Sequence, residues 1–150
     1  MPQDNNCNTA HDIKRSNVAV HVDYQVVGVA GVVTLDRPQA LNALNDDMVW
    51  SLHKIFTSWK NDPTVGHVVL SSSSPKAFCV GGDIRQVHDA ILVGDHQAAE
   101  QFFRGEYLAD LAIAEFGKPI VVLCDGLVMG GGAGLAQHSS HVIMTETTKF

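Results

Sequence analysis

Hydrophobic residues follow different periods along the chain, and the changes between them predict where strands and helices lie. Apolar residues alternate with others over residues 18–22 and dominate residues 26–35, which is typical of two strands. Gly28 or Gly31 is placed to turn the chain, so we predict that these strands form a hairpin. Three later apolar runs predict further strands at residues 65–70, 119–123 and 142–144.

The segments between these runs have the period of amphipathic helices. Asn45 is a natural N-cap for a helix that ends before Asp62-Pro63. One face of this helix is predicted to be buried and carries Met48, Leu52, Ile55, Phe56 and Trp59. Asp83 would cap a second helix that runs towards Ile91. A third helix is predicted over residues 96–115, with core candidates Phe102, Phe103, Leu108, Leu111 and Ile113.

Strands that alternate with helices predict an α/β fold. The chain has 150 residues, of which 45% are hydrophobic, enough for one compact domain. Residues 1–16 are polar and are expected to be a flexible N-terminus, which leaves residues 17–150 as the folded part.

Charge and cysteine content restrict the class of protein. The formal net charge of −6 argues against a nucleic-acid partner, and no apolar run is long enough to span a membrane. Three cysteines, Cys7, Cys79 and Cys124, favour a reducing compartment over a disulfide framework. The N-terminal residues carry no hydrophobic signal and are less basic than a mitochondrial transit peptide, so we expect a cytoplasmic protein.

Two glycine-rich segments are the strongest candidates for chemistry. Gly81-Gly82-Asp83 and the run from Met129 to Leu135 each lie between an apolar stretch and a predicted helix, the second helix covering about residues 133–138. Adjacent glycines leave backbone N–H groups open to a ligand, and a helix start adds unpaired N–H groups. The pattern predicts an oxyanion hole, although tight helix–strand packing alone would also explain the glycines.

Other reactive residues have simpler interpretations. Cys79 has no neighbouring histidine in sequence and is interpreted as a buried small residue. The eight histidines lack metal-binding spacing, so no metal site is predicted. Ser139 and Ser140 lack the Gly-x-Ser-x-Gly pattern of serine hydrolases.

Three motifs, taken in order, resemble the crotonase (enoyl-CoA hydratase/isomerase) superfamily. They are residues 35–44 (LDRPQALNAL), residues 77–85 (AFCVGGDIR), and Asp125-Gly126 with the following glycines. Residues 102–107 (FFRGEY) and 145–147 resemble its 3-hydroxyisobutyryl-CoA hydrolase branch, where a second acid usually stands at Gly105. The resemblance implies a ββα spiral that is incomplete at the C-terminus.

The resemblance also implies roles for individual residues. The backbone N–H groups of Gly82 and Gly131 would hold the thioester oxygen of an acyl-CoA, and Glu106 would orient the acyl hydroxyl. The backbone from Gly81 to Ile84, which includes Asp83, would line the acyl-CoA channel. No cofactor is expected, because CoA is part of the substrate, and the full-length protein is expected to be a homo-oligomer.

Two acids of the family are absent from these residues. The family's essential glutamate and a following aspartate would lie after Phe150, and Gly134 stands where a hydratase carries a glutamate. We therefore expect an N-terminal part that is nearly inactive and poorly stable alone. An enoyl-CoA hydratase or isomerase, and a non-catalytic remnant that binds acyl-CoA, remain as alternatives.

Overall fold

The computed structural model describes residues 17–19 and 21–150, with side chains from residue 21 onwards. The expected flexible segment, residues 1–16, and Cys7 lie outside the described residues. The helices are α1 (Asp46–Lys60), α2 (Ile84–Leu92), α3 (His96–Ala114) and α4 (Gly131–Gln137), with a short 3-10 turn at Pro38–Ala40. The strands are β1 (Asn17–Ala19), β2 (Val22–Val27), β3 (Ala30–Leu35), β4 (His67–Ser72), β5 (Ala77–Cys79), β6 (Ile120–Cys124), β7 (Leu127–Val128) and β8 (His141–Met144).

Strands and helices alternate after the first hairpin, which confirms the α/β prediction. The larger sheet has the order β1-β2-β3-β4-β6-β8, and its last four strands pair in parallel. A separate parallel pair, β5 and β7, carries the chain towards the glycine-rich segments. Short strands of this kind carry too few apolar residues to stand out in the sequence, and the sequence analysis did not predict them.

The predicted N-terminal hairpin is confirmed with its turn at Gly28, but the strand bounds differ from the prediction. The apolar run at residues 26–35 is two strands, because Gly28 has a φ of +61° and turns the chain inside the run. β2 and β3 pair antiparallel from Val22 with Leu35 to Val27 with Ala30. The expected pair of strands is therefore three, and Val29 at the turn is 62% exposed.

Helix α1 follows its prediction closely. The side chain of Asn45 accepts a hydrogen bond from the Met48 N–H at 3.0 Å, as expected of an N-cap. All five residues predicted for its apolar face are buried. Trp59 lies against the glycine at position 31 of β3, where a built β-carbon would be 2.5 Å from its ring. The glycine thus makes room for the indole between helix and sheet.

Helix α3 confirms only part of its predicted core. Phe102 and Ile113 are buried, but Phe103 is 41% exposed and Leu111 is 50% exposed, so their predicted burial was wrong. Residues one position apart on a helix lie about 100° apart, so Phe102 and Phe103 do not face the same side. The side of α3 that is buried packs mainly on α1.

Gly105 allows the close contact between α3 and α1. A β-carbon built on it would be 2.8 Å from Cγ2 of Val49 and 3.1 Å from the indole of Trp50. Both residues lie on α1, so a side chain at position 105 requires the helices to separate.

Each helix of the described residues is too short or too polar to span a lipid bilayer.

Candidate functional site

The Gly81-Gly82-Asp83 loop leaves β5 and is fixed by backbone pairing with Leu44. The Leu44 N–H donates to the Gly81 carbonyl at 2.8 Å, and the Asp83 N–H donates to the Leu44 carbonyl at 2.7 Å. Gly81 has a φ of +99°, which a residue with a side chain rarely adopts. Gly82 lies between the two hydrogen bonds, and its N–H donates to no other residue in the range 21–150.

The second glycine segment connects β7 to α4. The Met129 N–H donates to the Cys79 carbonyl at 3.0 Å, so this turn lies directly against the end of β5. A β-carbon built on Gly132 would collide with the same carbonyl, and the glycine therefore permits this approach. Helix α4 begins at Gly131, whose N–H likewise donates to no described residue. The predicted helix start at residue 133 was two residues late.

The two glycine segments touch each other. A β-carbon built on Gly81 would be 3.3 Å from the backbone nitrogen of Gly131 and 3.1 Å from the Met129 carbonyl oxygen. Two open N–H groups, of Gly82 and Gly131, thus belong to adjoining backbone segments that tertiary contacts hold in place. Preorganised donors of this kind can stabilise an oxygen that gains negative charge.

Glu106 brings a carboxyl group to these two glycines. Its Oε2 is 3.7 Å from a β-carbon built on Gly82, and its Oε1 would collide with one built on Gly131. Burial raises the pKa of Glu106, and the charge of Asp110 one helical turn away raises it further. The buried ring of Phe102 lies 2.9 Å from the Gly82 β-carbon position and packs beside the carboxyl group.

Asp83 holds the loop through an ion pair. It occupies the N-cap position of α2, as predicted, although its side chain makes no capping hydrogen bond of ordinary length. Its Oδ2 instead accepts a hydrogen bond from Nη1 of Arg37 at 2.7 Å. Partial burial alone would raise the pKa of Asp83, but the hydrogen bond and charge of Arg37 together lower it. Arg37 also donates to the Ala43 carbonyl at 2.8 Å.

Asn42 anchors the segment that precedes α1 and is fully buried. Its Oδ1 accepts the Arg37 N–H at 2.7 Å, and its Nδ2 donates to Ser72 Oγ at 2.6 Å and to the Phe78 carbonyl at 3.0 Å. These bonds join the segment to β4 and β5, next to the Gly81 loop. Asn42 and Arg37 both lie in the motif of residues 35–44, and their anchoring contacts were not predicted.

An open cleft of about 960 Å³ lies in front of the Gly82 loop. Gly82, Asp83 and Ile84 line it together with Arg37 and Arg85. Ile84 is 74% exposed, so it offers an apolar surface at the edge of the cleft. The cleft therefore presents apolar and charged groups beside the open amide of Gly82, whereas Gly131 does not line it.

Several other predicted assignments can be placed. Cys79 is fully buried, and burial raises the pKa of its thiol to about 12, which suits a packing residue rather than a nucleophile. Within the described residues no three His, Cys, Asp or Glu side chains are grouped to hold a metal ion.

The sequence analysis missed one acid beside the site, Asp110. It lies four residues after Glu106 on α3, and that spacing alone places both carboxyl groups on one helix face.

Comparisons with family models and with curated proteins identify the same family. The sequence profile of the enoyl-CoA hydratase/isomerase family matches residues 30–150. The chain is similar to mitochondrial 3-hydroxyisobutyryl-CoA hydrolase of Xenopus laevis, with 46% identity over 123 residues that cover 82% of this chain and 32% of the relative. The Gallus gallus protein of the same name is 40% identical, with 91% of this chain and 35% of the relative covered. The chain thus spans about a third of the length of these curated relatives.

Solved structures have the same fold. An enoyl-CoA hydratase from Rhodobacter sphaeroides has a TM-score of 0.82 and 44% identity, and the match covers 85% of this chain and 38% of that one. A carnitinyl-CoA dehydratase from Mycobacterium thermoresistibile has a TM-score of 0.80 and 36% identity, with 87% and 38% covered.

Proposed function

We propose that this chain, which belongs to the enoyl-CoA hydratase/isomerase family, is the oxyanion-binding part of an acyl-CoA thioester hydrolase. The family match confirms the resemblance to the crotonase superfamily, and the structural neighbours confirm a crotonase-like fold that this chain contains in part. The hydrolase activity and the residue roles given below are proposals.

The observation that carries the proposal is the pair of open backbone amides at Gly82 and Gly131, with the Glu106 carboxyl group close to both glycines. The thioester carbonyl oxygen would accept hydrogen bonds from both N–H groups. Attack on the carbonyl carbon turns this oxygen into an oxyanion, and each donor would then contribute about 3 kcal/mol to the transition state. Backbone amides need no side chain, which agrees with glycine at both positions.

The names of the relatives and the position of Glu106 support a class of substrate. The relatives described above are named 3-hydroxyisobutyryl-CoA hydrolase. We therefore propose a hydroxyacyl-CoA as substrate, with valine breakdown as the pathway that the name implies. The Glu106 carboxylate would accept a hydrogen bond from the acyl hydroxyl and so orient it. The backbone from Gly81 to Ile84 would line the channel for the thioester, with Asp83 fixed by Arg37. The group that activates water, or attacks directly, is expected in a segment that follows Phe150 in the family.

The experiment follows release of the CoA thiol from 3-hydroxyisobutyryl-CoA with a thiol reagent. We expect hydrolysis by the native protein, and a loss on the order of 10²-fold for Glu106→Gln because the substrate is no longer oriented. Glu100→Gln is the matched control, since Glu100 is an exposed carboxylate on the same helix. Equal activity of the two variants would contradict the role of Glu106. Failure to bind or hydrolyse any CoA thioester would contradict the proposed function.

Two alternative functions are distinguished by experiment. The Rhodobacter sphaeroides structure is described as an enoyl-CoA hydratase, so hydration of a 2-enoyl-CoA is the second candidate. Loss of the enoyl absorbance without thiol release would favour it. A non-catalytic remnant that binds acyl-CoA is the third, and binding without turnover would favour it. The intact mass of the native protein separates the remnant from the two enzymes, because a mass near 16.2 kDa favours the remnant.

Location and assembly remain predictions. The sequence analysis predicts the cytoplasm, whereas the relatives are named as mitochondrial. Fractionation of source cells would decide between the two. Assembly of the full-length protein into a homo-oligomer is tested by its mass in solution.

A further inference from the structure

The ring of Phe102 touches the Gly81-Gly82-Asp83 loop and also lines a separate cavity. Its Cζ and Cε1 atoms are 2.9 Å and 3.1 Å from a β-carbon built on Gly82. The cavity lies where α2 and α3 pack together and has a volume of about 100 Å³, which is room for about three water molecules. Phe102 is therefore in contact with the candidate site on one side and with an unfilled space on another.

This ring separates two neighbouring spaces. Gly82 lines the open cleft of about 960 Å³ but not the smaller cavity, whereas Phe102 lines the cavity but not the cleft. Gln86 lines both, so the two spaces adjoin. Because the tip of the buried ring meets the Gly82 position, Phe102 closes the cavity off from the candidate site.

The lining of the cavity suits an apolar group. Val87 of α2 is buried, and Ala90 of α2 and Ala98 of α3 are small, so the two helices leave space beside the Phe102 ring. Three polar residues complete the lining: Asp46, Gln86 and Gln101. Both glutamines are exposed, which puts polar groups on the solvent side. A short run of methylene groups beside Val87 and the two alanines would leave water for apolar contacts.

The position of Glu106 indicates which part of a substrate would meet the ring. Phe102 and Glu106 are four residues apart on α3, so their side chains share one helix face. Both lie near the β-carbon position of Gly82, Glu106 with its Oε2 at 3.7 Å and Phe102 with its Cζ at 2.9 Å. Because Glu106 is proposed to bind the acyl hydroxyl, carbon atoms beyond that hydroxyl would meet the Phe102 ring.

We infer that Phe102 is a specificity-determining residue that limits the length of the acyl group, and that the cavity behind its ring takes a longer apolar chain once the ring is shortened. The inference rests on the proposed function, because that function places the thioester carbonyl at Gly82. Further carbon atoms would have to displace a buried ring. Leucine lacks the two ring atoms that face Gly82, so Phe102→Leu connects the acyl space with the cavity and keeps an apolar side chain.

The test measures how two CoA analogues bind when a methylene group replaces the thioester sulfur, so that neither can be hydrolysed. One carries the 3-hydroxybutyryl group and the other the 3-hydroxyhexanoyl group, which adds two methylene groups beyond the hydroxyl. Calorimetry gives both dissociation constants. We expect the native protein to bind the longer analogue about tenfold more weakly, because it overpacks the site. Phe102→Leu should reverse the preference, by up to about fourfold for each methylene group that becomes buried.

A second substitution tests whether the cavity holds the added carbon atoms. Ala98 lies one helical turn before Phe102 and lines the cavity, so Ala98→Leu fills that space. Added to Phe102→Leu, it should restore the preference for the shorter analogue. Leu111→Ala is the control, because Leu111 is an exposed apolar residue of α3 that lines neither space. Its ratio of dissociation constants should equal that of the native protein.

The ratio of dissociation constants is insensitive to partial loss of folded protein, because both analogues bind the same folded fraction. An equal ratio in the native protein and in Phe102→Leu would overturn the inference and leave the proposed function standing. A reversed preference that persists after Ala98→Leu would also overturn it, since the added carbon atoms would lie elsewhere. The native protein is a test by itself, because its own preference for the longer analogue would contradict the limit. Binding of neither analogue by the native protein would overturn both the inference and the proposed function.

Discussion

Replacing Gly105 with alanine tests whether the contact between α1 and α3 is as tight as the structure shows. The added β-carbon would be 2.8 Å from Cγ2 of Val49, shorter than an ordinary carbon contact. Val49 is fully buried on α1, so it cannot turn away into solvent. The two helices must separate, and Glu106, the next residue on α3, would move with its helix.

Two opposing terms set the size of the effect. Alanine is favoured over glycine inside a helix by about 0.8–1.0 kcal/mol. An extra carbon in a well-packed core costs about 1–3 kcal/mol. We therefore expect Gly105→Ala to lower the free energy of unfolding by about 1 kcal/mol, or the melting temperature by about 2–4 °C for a domain of this size.

Urea unfolding followed by circular dichroism measures this change. Glu100→Ala and Glu100→Gly supply the control, because Glu100 is an exposed site on the same helix and reports the propensity difference alone. If Gly105→Ala were more stable than the wild type by that whole difference, the close contact between the helices would be refuted.

Two further predictions concern titratable groups. The lowered pKa of Asp83 means that its pair with Arg37 stabilises the fold above the carboxyl group's ordinary pKa, near 3.8, and is lost as the pH falls through its folded pKa. Urea unfolding should show Asp83→Asn less stable by about 1–2 kcal/mol at neutral pH, and a difference that persists at pH 2 would contradict this. Burial raises the pKa of Cys79 to about 12 and of Cys124 to about 11, so in a Cys7→Ser background a thiol reagent should modify neither until urea unfolds the chain. Rapid labelling of the native protein would contradict their burial.

Sequence reasoning worked where one local signal determined an element. The cap residue Asn45 and the apolar face that follows it predicted α1, and its hydrogen bond to Met48 confirms the start. Prediction from sequence failed where an element depended on one residue or was too short to show a hydrophobic period. A single glycine with positive φ split the run at residues 26–35, and neither β5 nor β7 has enough residues to show a period.

The candidate site was predictable only as separate motifs. Glycine pairs marked Gly82 and Gly131, but their adjacency depends on Gly81 lying against the Gly131 backbone, which is a tertiary contact. Asp83 was recognised as a cap position, yet its partner Arg37 is 46 residues away in sequence. Asp110 was missed although its spacing of four residues from Glu106 places both carboxyl groups on one face of α3.

The central claim is that the Gly131 N–H hydrogen-bonds the thioester oxygen, and the carbonyl stretch of a bound, ¹³C-labelled isobutyryl-CoA tests it directly. Hydrogen bonds to the carbonyl should move this infrared band to lower frequency than in water. Both variants are made in a Glu106→Ala background, because a β-carbon at position 131 would otherwise collide with the Glu106 carboxyl group. In that background Gly131→Pro removes the N–H at the first position of α4, where proline suits a helix, whereas Gly131→Ala adds a β-carbon but keeps the N–H. We predict that the low-frequency shift persists in Gly131→Ala and decreases in Gly131→Pro. An equal shift in both variants would contradict the account.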